Sequence, residues 1–194
     1  MSNTFLIGDT HFGHEKTCTV FTMPDGVTPL RPFANAEEMN EAMIENWNSV
    51  VKHDDKVYHL GDVVINKKFL PILHRLNGQK RLILGNHDHW KTAILQEYFV
   101  AIYGSRSLHD MILTHIPVHP NQIDRFGTNV HGHLHGSVMD DPRYLNVSVE
   151  QIGFTPIDLE EVRARIKAKQ DRYDYSTDKV AWGNGSGPKE KAKA

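Results

Sequence analysis

KVYHLGDVV, residues 56–64, and KRLILGNHD, residues 80–88, share one plan: a short, mostly apolar run stops at a glycine, and Asp62 or Asn86 follows at once. Continuous apolar runs of this length, bounded by turn residues, suit strands buried on both faces, as in parallel sheets covered by helices. Between them NKKFLPILHRLNG, residues 66–78, reads as a helix with Gly78 at its exit. TFLIGD, residues 4–9, repeats the strand pattern and ends at Asp9. Strands alternating with helices predict an α/β chain with a parallel sheet. In such sheets ligands bind beyond the carboxyl ends of the strands, so these polar tips should meet in space.

Working outward, residues 19–30 place Met23-Pro24-Asp25-Gly26 between two β-prone arms and predict an inserted hairpin. Asn35 to Val51 reads as a helix: Asn35 and Glu38 form a capping-box start, and Met39, Met43, Ile44, Trp47 and Val50 or Val51 recur at helical spacing. That Met/Trp stripe is core packing. A helix is expected around residues 91–98, and strands in FVAIYG (99–104), LHDMILTHIP (108–117) and RYLNVSVE (143–150). A last helix in TPIDLEEVRARIKAKQ (155–170) starts at an Asp158/Glu161 box. One domain over residues 1–175 is expected, then a flexible tail over 176–194, where GNGSGPKEKAKA offers little to a core.

The 194 residues are 39% hydrophobic, enough for a single core, and the formal net charge of −2 gives no electrostatic footprint for nucleic acid. Cys18 is the only cysteine, which excludes an internal disulfide and suits a reducing compartment. No leader pattern precedes TFLIGD and no apolar run approaches membrane-span length, so a cytoplasmic protein is expected. The thirteen histidines are the anomaly of the composition. Three of them lie in NVHGHLHG, residues 129–136, at alternate positions of an extended segment, where they can aim at one point. Clustered imidazoles gain little from one another, and a metal ion removes the difficulty.

Collected in order, the strand tips supply Asp9 and His11, Asp62, Asn86 with His87, His115, then His133 and His135. This is an oxygen and nitrogen donor set without thiolate. His87 aside, these seven candidate ligands exceed a tetrahedral site and suit two ions sharing a carboxylate. The motifs Asp9-Thr10-His11-Phe12-Gly13, Gly61-Asp62, Gly85-Asn86-His87-Asp88, His115 and Gly132-His133-Leu134-His135 resemble, in order, the five motifs of the calcineurin-like metallophosphoesterase superfamily, over residues 4–150. The stretch from RPF (31–33) through NWNSVV (46–51) to VYHLGDV (57–63) looks like a branch of small single-domain bacterial and phage members.

The resemblance implies an αββα sandwich of two mixed β-sheets flanked by helices. It implies that Asp9, His11 and His135 bind one metal, that Asn86, His115 and His133 bind the other, and that Asp62 bridges them. His87 would be the general acid on the leaving oxygen while a hydroxide between the metals attacks phosphorus. The expected activity is hydrolysis of phosphomonoesters or phosphodiesters, with two divalent transition-metal ions, manganese first and iron, nickel or zinc also suited. The expected partner is a small phosphoester or nucleotide. Two other readings are a dinucleoside polyphosphate hydrolase, and a member of the fold without catalysis that serves as a binding scaffold.

The remaining histidines divide. His131 is expected to be structural or to support the ligands, and His119 is the competitor of His115. His59 and His109 are placed within strands, and His53, His74 and His89 on the surface, none with a chemical role. His14 and Arg31 could touch substrate phosphate or be solvated charges. Specificity is expected in the hairpin of residues 19–30 and in the loop of residues 117–128.

Overall fold

In a computed structural model, which describes residues 2–173, the apolar runs become two mixed sheets. Strands β1 (Thr4–Ile7), β2 (Lys56–His59), β3 (Gln79–Ile83) and β4 (Ala101–Tyr103) lie parallel in the order β4-β3-β2-β1. Strand β9 (Ile157–Asp158) closes that sheet antiparallel to β1. The second sheet runs β5 (Arg106–Leu108), β6 (Met111–Leu113), β7 (Thr128–His131) and β8 (Tyr144–Asn146); β6, β7 and β8 are parallel and β5 is antiparallel. Helices flank the pair, as the sandwich reading expects.

Helix α1 (Lys16–Thr19) is a single turn before the hairpin, and α2 (Ala36–Val50) carries the core stripe. Met39, Met43, Ile44 and Trp47 are buried along one side of α2. Asn35 accepts from the Glu38 amide as N-cap, while the Glu38 carboxylate reaches back to the Ala34 amide rather than to Asn35. Helix α4 (Leu159–Arg172) is capped by Asp158, which accepts from Glu160. Glu161 does not close the expected box, because its carboxylate pairs with Arg165 one turn on.

Several expected elements differ. Residues 67–75 form a 3-10 helix rather than an α-helix. Pro71 inside it has no amide to donate and its ring would crowd the carbonyl four residues back, so the tighter winding is the accessible one. The helix expected at 91–98 is only the turn α3 (Thr92–Leu95). LHDMILTHIP is not one strand: it folds back between β5 and β6, and His109 sits in the turn at φ 54°. The inserted hairpin is present but slender, with a single bridge between Thr22 and Pro29. The tail of residues 176–194 lies outside the described residues. No helix among the described residues is long and apolar enough to cross a membrane.

What matters for the site is how the two sheets meet. Beyond β1 the chain pairs with the segment after β8: the Gly8 amide donates to Val147 and the Val149 amide to Gly8. On its other side the Asp9 amide donates to Gly61 and the His11 amide to Asp62. The ends of β1, β2 and β8, and with them β7, are therefore locked into one edge.

Candidate metal centre

At that edge the backbone is bent into a conformation few residues adopt. Asp9 (φ 57°), His11 (44°), Asp62 (57°), His133 (68°) and His135 (49°) all lie in the left-handed region. Each costs on the order of 1–3 kcal/mol, although Asp and His tolerate it better than most. The two chain ends can approach only because glycines stand opposite: a Cβ on Gly85 would fall 2.2 Å from Asp62 Oδ1, and one on Gly132 2.3 Å from Asp9 Oδ2.

Two groups of donors result, Asp9 with His11 and His135, and Asp62 with His115 and His133, each group's candidate ligand atoms lying within 4.8 Å of one another. Asp62 joins them. Its Oδ2 lies 3.4 Å from His11 Nε2 and 3.4 Å from His115 Nε2. Asn86 Oδ1 lies 2.9 Å from His115 Nε2, and His133 Nδ1 lies 3.3 Å from it. His115 Nδ1 is 2.7 Å from the Leu60 carbonyl, so Nδ1 carries the proton and donates, which leaves Nε2 to face the cluster.

The first group is electrically incomplete. Asp9 Oδ1 and both ring nitrogens of His11 are buried without a hydrogen-bond partner among the described residues. Burial pushes the Asp9 carboxyl up to about 6 and the His11 imidazole down to about 4. At His115 and His135 burial also works against the charged form, but neighbouring carboxylates outweigh it and raise both, through Asp62 and Asp9 at His115 and through Glu150 and Asp9 at His135. At Asp62 burial opposes the anion, and the surrounding imidazoles and the His87 amide lower its carboxyl well below the usual range. Buried polar atoms left without a partner are costly. A cation relieves that cost, and an N/O set without thiolate fits a borderline divalent metal in each group.

Supporting residues to which the sequence analysis gave no such role hold the candidate ligands in place. Glu150 Oε1 lies 3.1 Å from His135 Nδ1, which leaves Nε2 to the first group. The Asp88 carboxylate accepts from the amides of Asp62 (2.7 Å), Val63 (3.0 Å) and Gly85 (2.9 Å). Ser148 Oγ donates to Asp9 Oδ2 at 2.8 Å, and Thr10 Oγ1 meets His59 Nε2 at 2.9 Å. Glu150 and Asp88 carry the same signal as the candidate ligands, a polar residue just past an apolar strand, in NVSVE and in GNHD.

Arg31 corrects an expectation. It neither meets solvent nor points at the substrate side: it is fully buried and donates to Glu150, to the Thr10 carbonyl and to the Asp9 carbonyl. Its guanidinium thus holds the turn that carries Asp9 from beneath. His87 lies at the rim, half-exposed, with Nε2 3.9 Å from Asp62 Oδ2 and its ring 5.4 Å from that of His11. Its amide donates to Asp62 Oδ1 at 2.8 Å. His131 stays outside both groups, buried with Nδ1 at 2.8 Å from the Gly132 carbonyl. His119 is exposed, caps the short 3-10 turn at Pro120–Gln122 and belongs to neither donor group. His53, His74 and His89 are exposed.

No family model matches the chain. It is 34% identical to the uncharacterized protein MJ1445 of Methanocaldococcus jannaschii over 174 residues, which covers 82% of this chain and 89% of that protein. The structure of AQ665, a protein of unknown function from Aquifex aeolicus, superposes with a TM-score of 0.64 at 26% identity, over 84% of this chain and 99% of that one. A predicted phosphoesterase of Streptococcus pneumoniae overlaps at a TM-score of 0.38 and 17% identity, over 78% of this chain and 73% of that one, too distant to carry an argument.

Proposed function

This chain belongs to the family of MJ1445, and for it we propose a metal-dependent phosphoester hydrolase of the calcineurin-like kind, acting on phosphomonoesters or phosphodiesters through two ions. The observation that carries the reading is Asp62 Oδ2, equally far, at 3.4 Å, from a histidine nitrogen of each donor group. A carboxylate oxygen so placed suits one ion on either side. Asp9, His11 and His135 would hold one ion, His115, His133 and Asn86 the other, and Asp62 both.

Ions bound there would acidify water toward neutral pH and offset the charge on the phosphoryl oxygens. The chain does the rest. Asn86 contributes an uncharged amide oxygen, so the centre does not gather negative charge that would repel a phosphate. Glu150, Arg31, Ser148 and Asp88 hold the donors in strained geometry before substrate arrives, which is the preorganisation electrostatic catalysis needs. His87, at the rim with its ring half in solvent, would deliver a proton to the departing ester oxygen. Manganese is the first candidate for the ions, with iron, nickel and zinc also suited to this donor set.

The test is elemental analysis of metal-loaded protein together with turnover of monoesters, linear and cyclic diesters, and dinucleotides. Two ions per chain with ester hydrolysis is the expected result. One ion or none at saturation overturns the dinuclear centre. Two ions without turnover of any substrate overturns the enzyme and leaves a binding scaffold.

A further inference from the structure

Beside the two donor groups lies an open pocket of about 600 Å³. His11, His87 and His135 form its metal-side wall. The facing wall comes from the inserted hairpin, chiefly Val20, Phe21 and Pro24, and from the turn after His133 that includes Leu134 and Gly136. The loop of residues 117–128, expected to share in specificity, contributes nothing to it.

Three features say what the pocket is for. First, among the described residues no Lys, Arg, Asp or Glu lines it, so beyond the ions these residues set no permanent charge against a second phosphate. Second, Val20 and Phe21 leave large apolar surface in water beside the site, 62% and 42% exposed. The Phe21 ring stands edge-on to His14 at 5.5 Å, and His14 lies 5.5 Å from His11, so a line of rings leads from the apolar wall to the donors. His14 itself lines the pocket, and its Nδ1 is buried with no hydrogen-bond partner among the described residues. Third, the wall is built in advance. The hairpin arms are joined by Met23 to Thr28 and Leu30 to Phe21 bonds, and the Asp25 carboxylate ties the tip to Val27 and Thr28. Gly136 lets Met23 pack against the turn, since a Cβ there would meet its sulfur at 2.6 Å.

Resting on the hydrolase reading, we propose that this pocket selects the organic substituent of the ester, a flat, uncharged aromatic group (an aryl ring or a nucleobase) seated on Phe21 with its polar edge toward His14. A chain of further phosphates would lie against a wall that offers it no counter-charge. The pocket therefore favours a single phosphoryl group carrying an aromatic substituent over a dinucleoside polyphosphate.

The experiment titrates protein shown to hold two ions with phenylphosphonate and methylphosphonate, which share a headgroup and do not turn over, and then with a nucleoside monophosphate and its diphosphate. Phenylphosphonate should bind about 10–100-fold more tightly than the methyl compound, the usual worth of one aromatic stack. Phe21→Ala should bring that ratio toward one, and Phe21→Trp should restore it. A nucleoside monophosphate that binds better than phenylphosphonate identifies a base as the occupant, and the reverse identifies an aryl ring. Equal binding of the phenyl and methyl compounds, a ratio that survives Phe21→Ala, or a tenfold preference for the diphosphate each overturns the aromatic pocket while the hydrolase reading stands. Failure of every phosphonate to bind despite two ions overturns both.

Discussion

Replacing Asp88 tests whether the centre is held by its supporting residues as the structure implies. The buried Asp88 carboxylate accepts three amides, with Oδ2 serving Asp62 and Gly85 and Oδ1 serving Val63. Asp88→Ala removes both oxygens and with them all three hydrogen bonds. The Asp62 and Val63 amides are buried and have no route to water, and each orphaned donor costs about 1–3 kcal/mol, so the loss is about 2–6 kcal/mol. In a chain of this size that lowers the melting temperature by roughly 2–4 °C per kcal/mol. Asp88→Asn keeps one oxygen, enough for Asp62 and Gly85 if it takes the Oδ2 position, and turns its NH₂ against the Val63 amide, for about 1–3 kcal/mol. Because the Asp62 amide is what Asp88 grips, both variants should also bind metal less tightly at both sites, in the order wild type, Asn, Ala. Chemical denaturation of metal-free protein gives the stability order, and metal titration gives the second. An Asp88→Ala protein within 0.5 kcal/mol of wild type, or a more stable Ala than Asn variant, would falsify the argument.

The expected behaviour of three other perturbations follows from the same geometry. His87→Ala should keep both ions and lose little on nitrophenyl esters, whose leaving group needs no proton, yet lose roughly 10²–10⁴-fold on alkyl or nucleotide esters; equal losses in single-turnover assays would remove it as the acid. Glu150→Gln should weaken metal at the Asp9–His11–His135 group, as loss of such a partner to a ligand histidine typically costs 10–100-fold, and should leave the His115 group nearly as it was; equal weakening at both sites contradicts the assignment. Acidification should empty the first group before the second. Metal needs Asp9 and His135 deprotonated there, and both hold protons above their ordinary values (Asp9 at about 6), whereas the second group has one raised histidine, His115. Affinity therefore falls as pH drops through 7 to 5, and more steeply at the first group; simultaneous loss in a pH-resolved metal titration refutes it.

The sequence by itself determined the strands that carry the site. TFLIGD, KVYHLGDVV and KRLILGNHD are legible because apolar runs this short, stopped by glycine and a polar residue, have few other uses, and burial of their side chains is a local consequence of composition. Helix α2 was legible for the same kind of reason, in its cap and its period. Where a local rule met a local exception the reading slipped: Pro71 turned an amphipathic helix into a 3-10 helix, and His109-Asp110 folded one apparent strand into two. The candidate ligands could be named in order, but nothing in their spacing says that Asp62 lies equally far from His11 and His115, or that Arg31, which reads as either a phosphate contact or a solvated charge, is buried beneath Asp9. Those facts depend on contacts between segments far apart in the chain, Gly8 with Val147, Arg31 with Glu150, the hairpin with the turn at Gly136. Side-chain patterning acts over a few residues, whereas the field, the strain and the pocket arise only where distant strand ends share one edge, and only the tertiary structure brings them there.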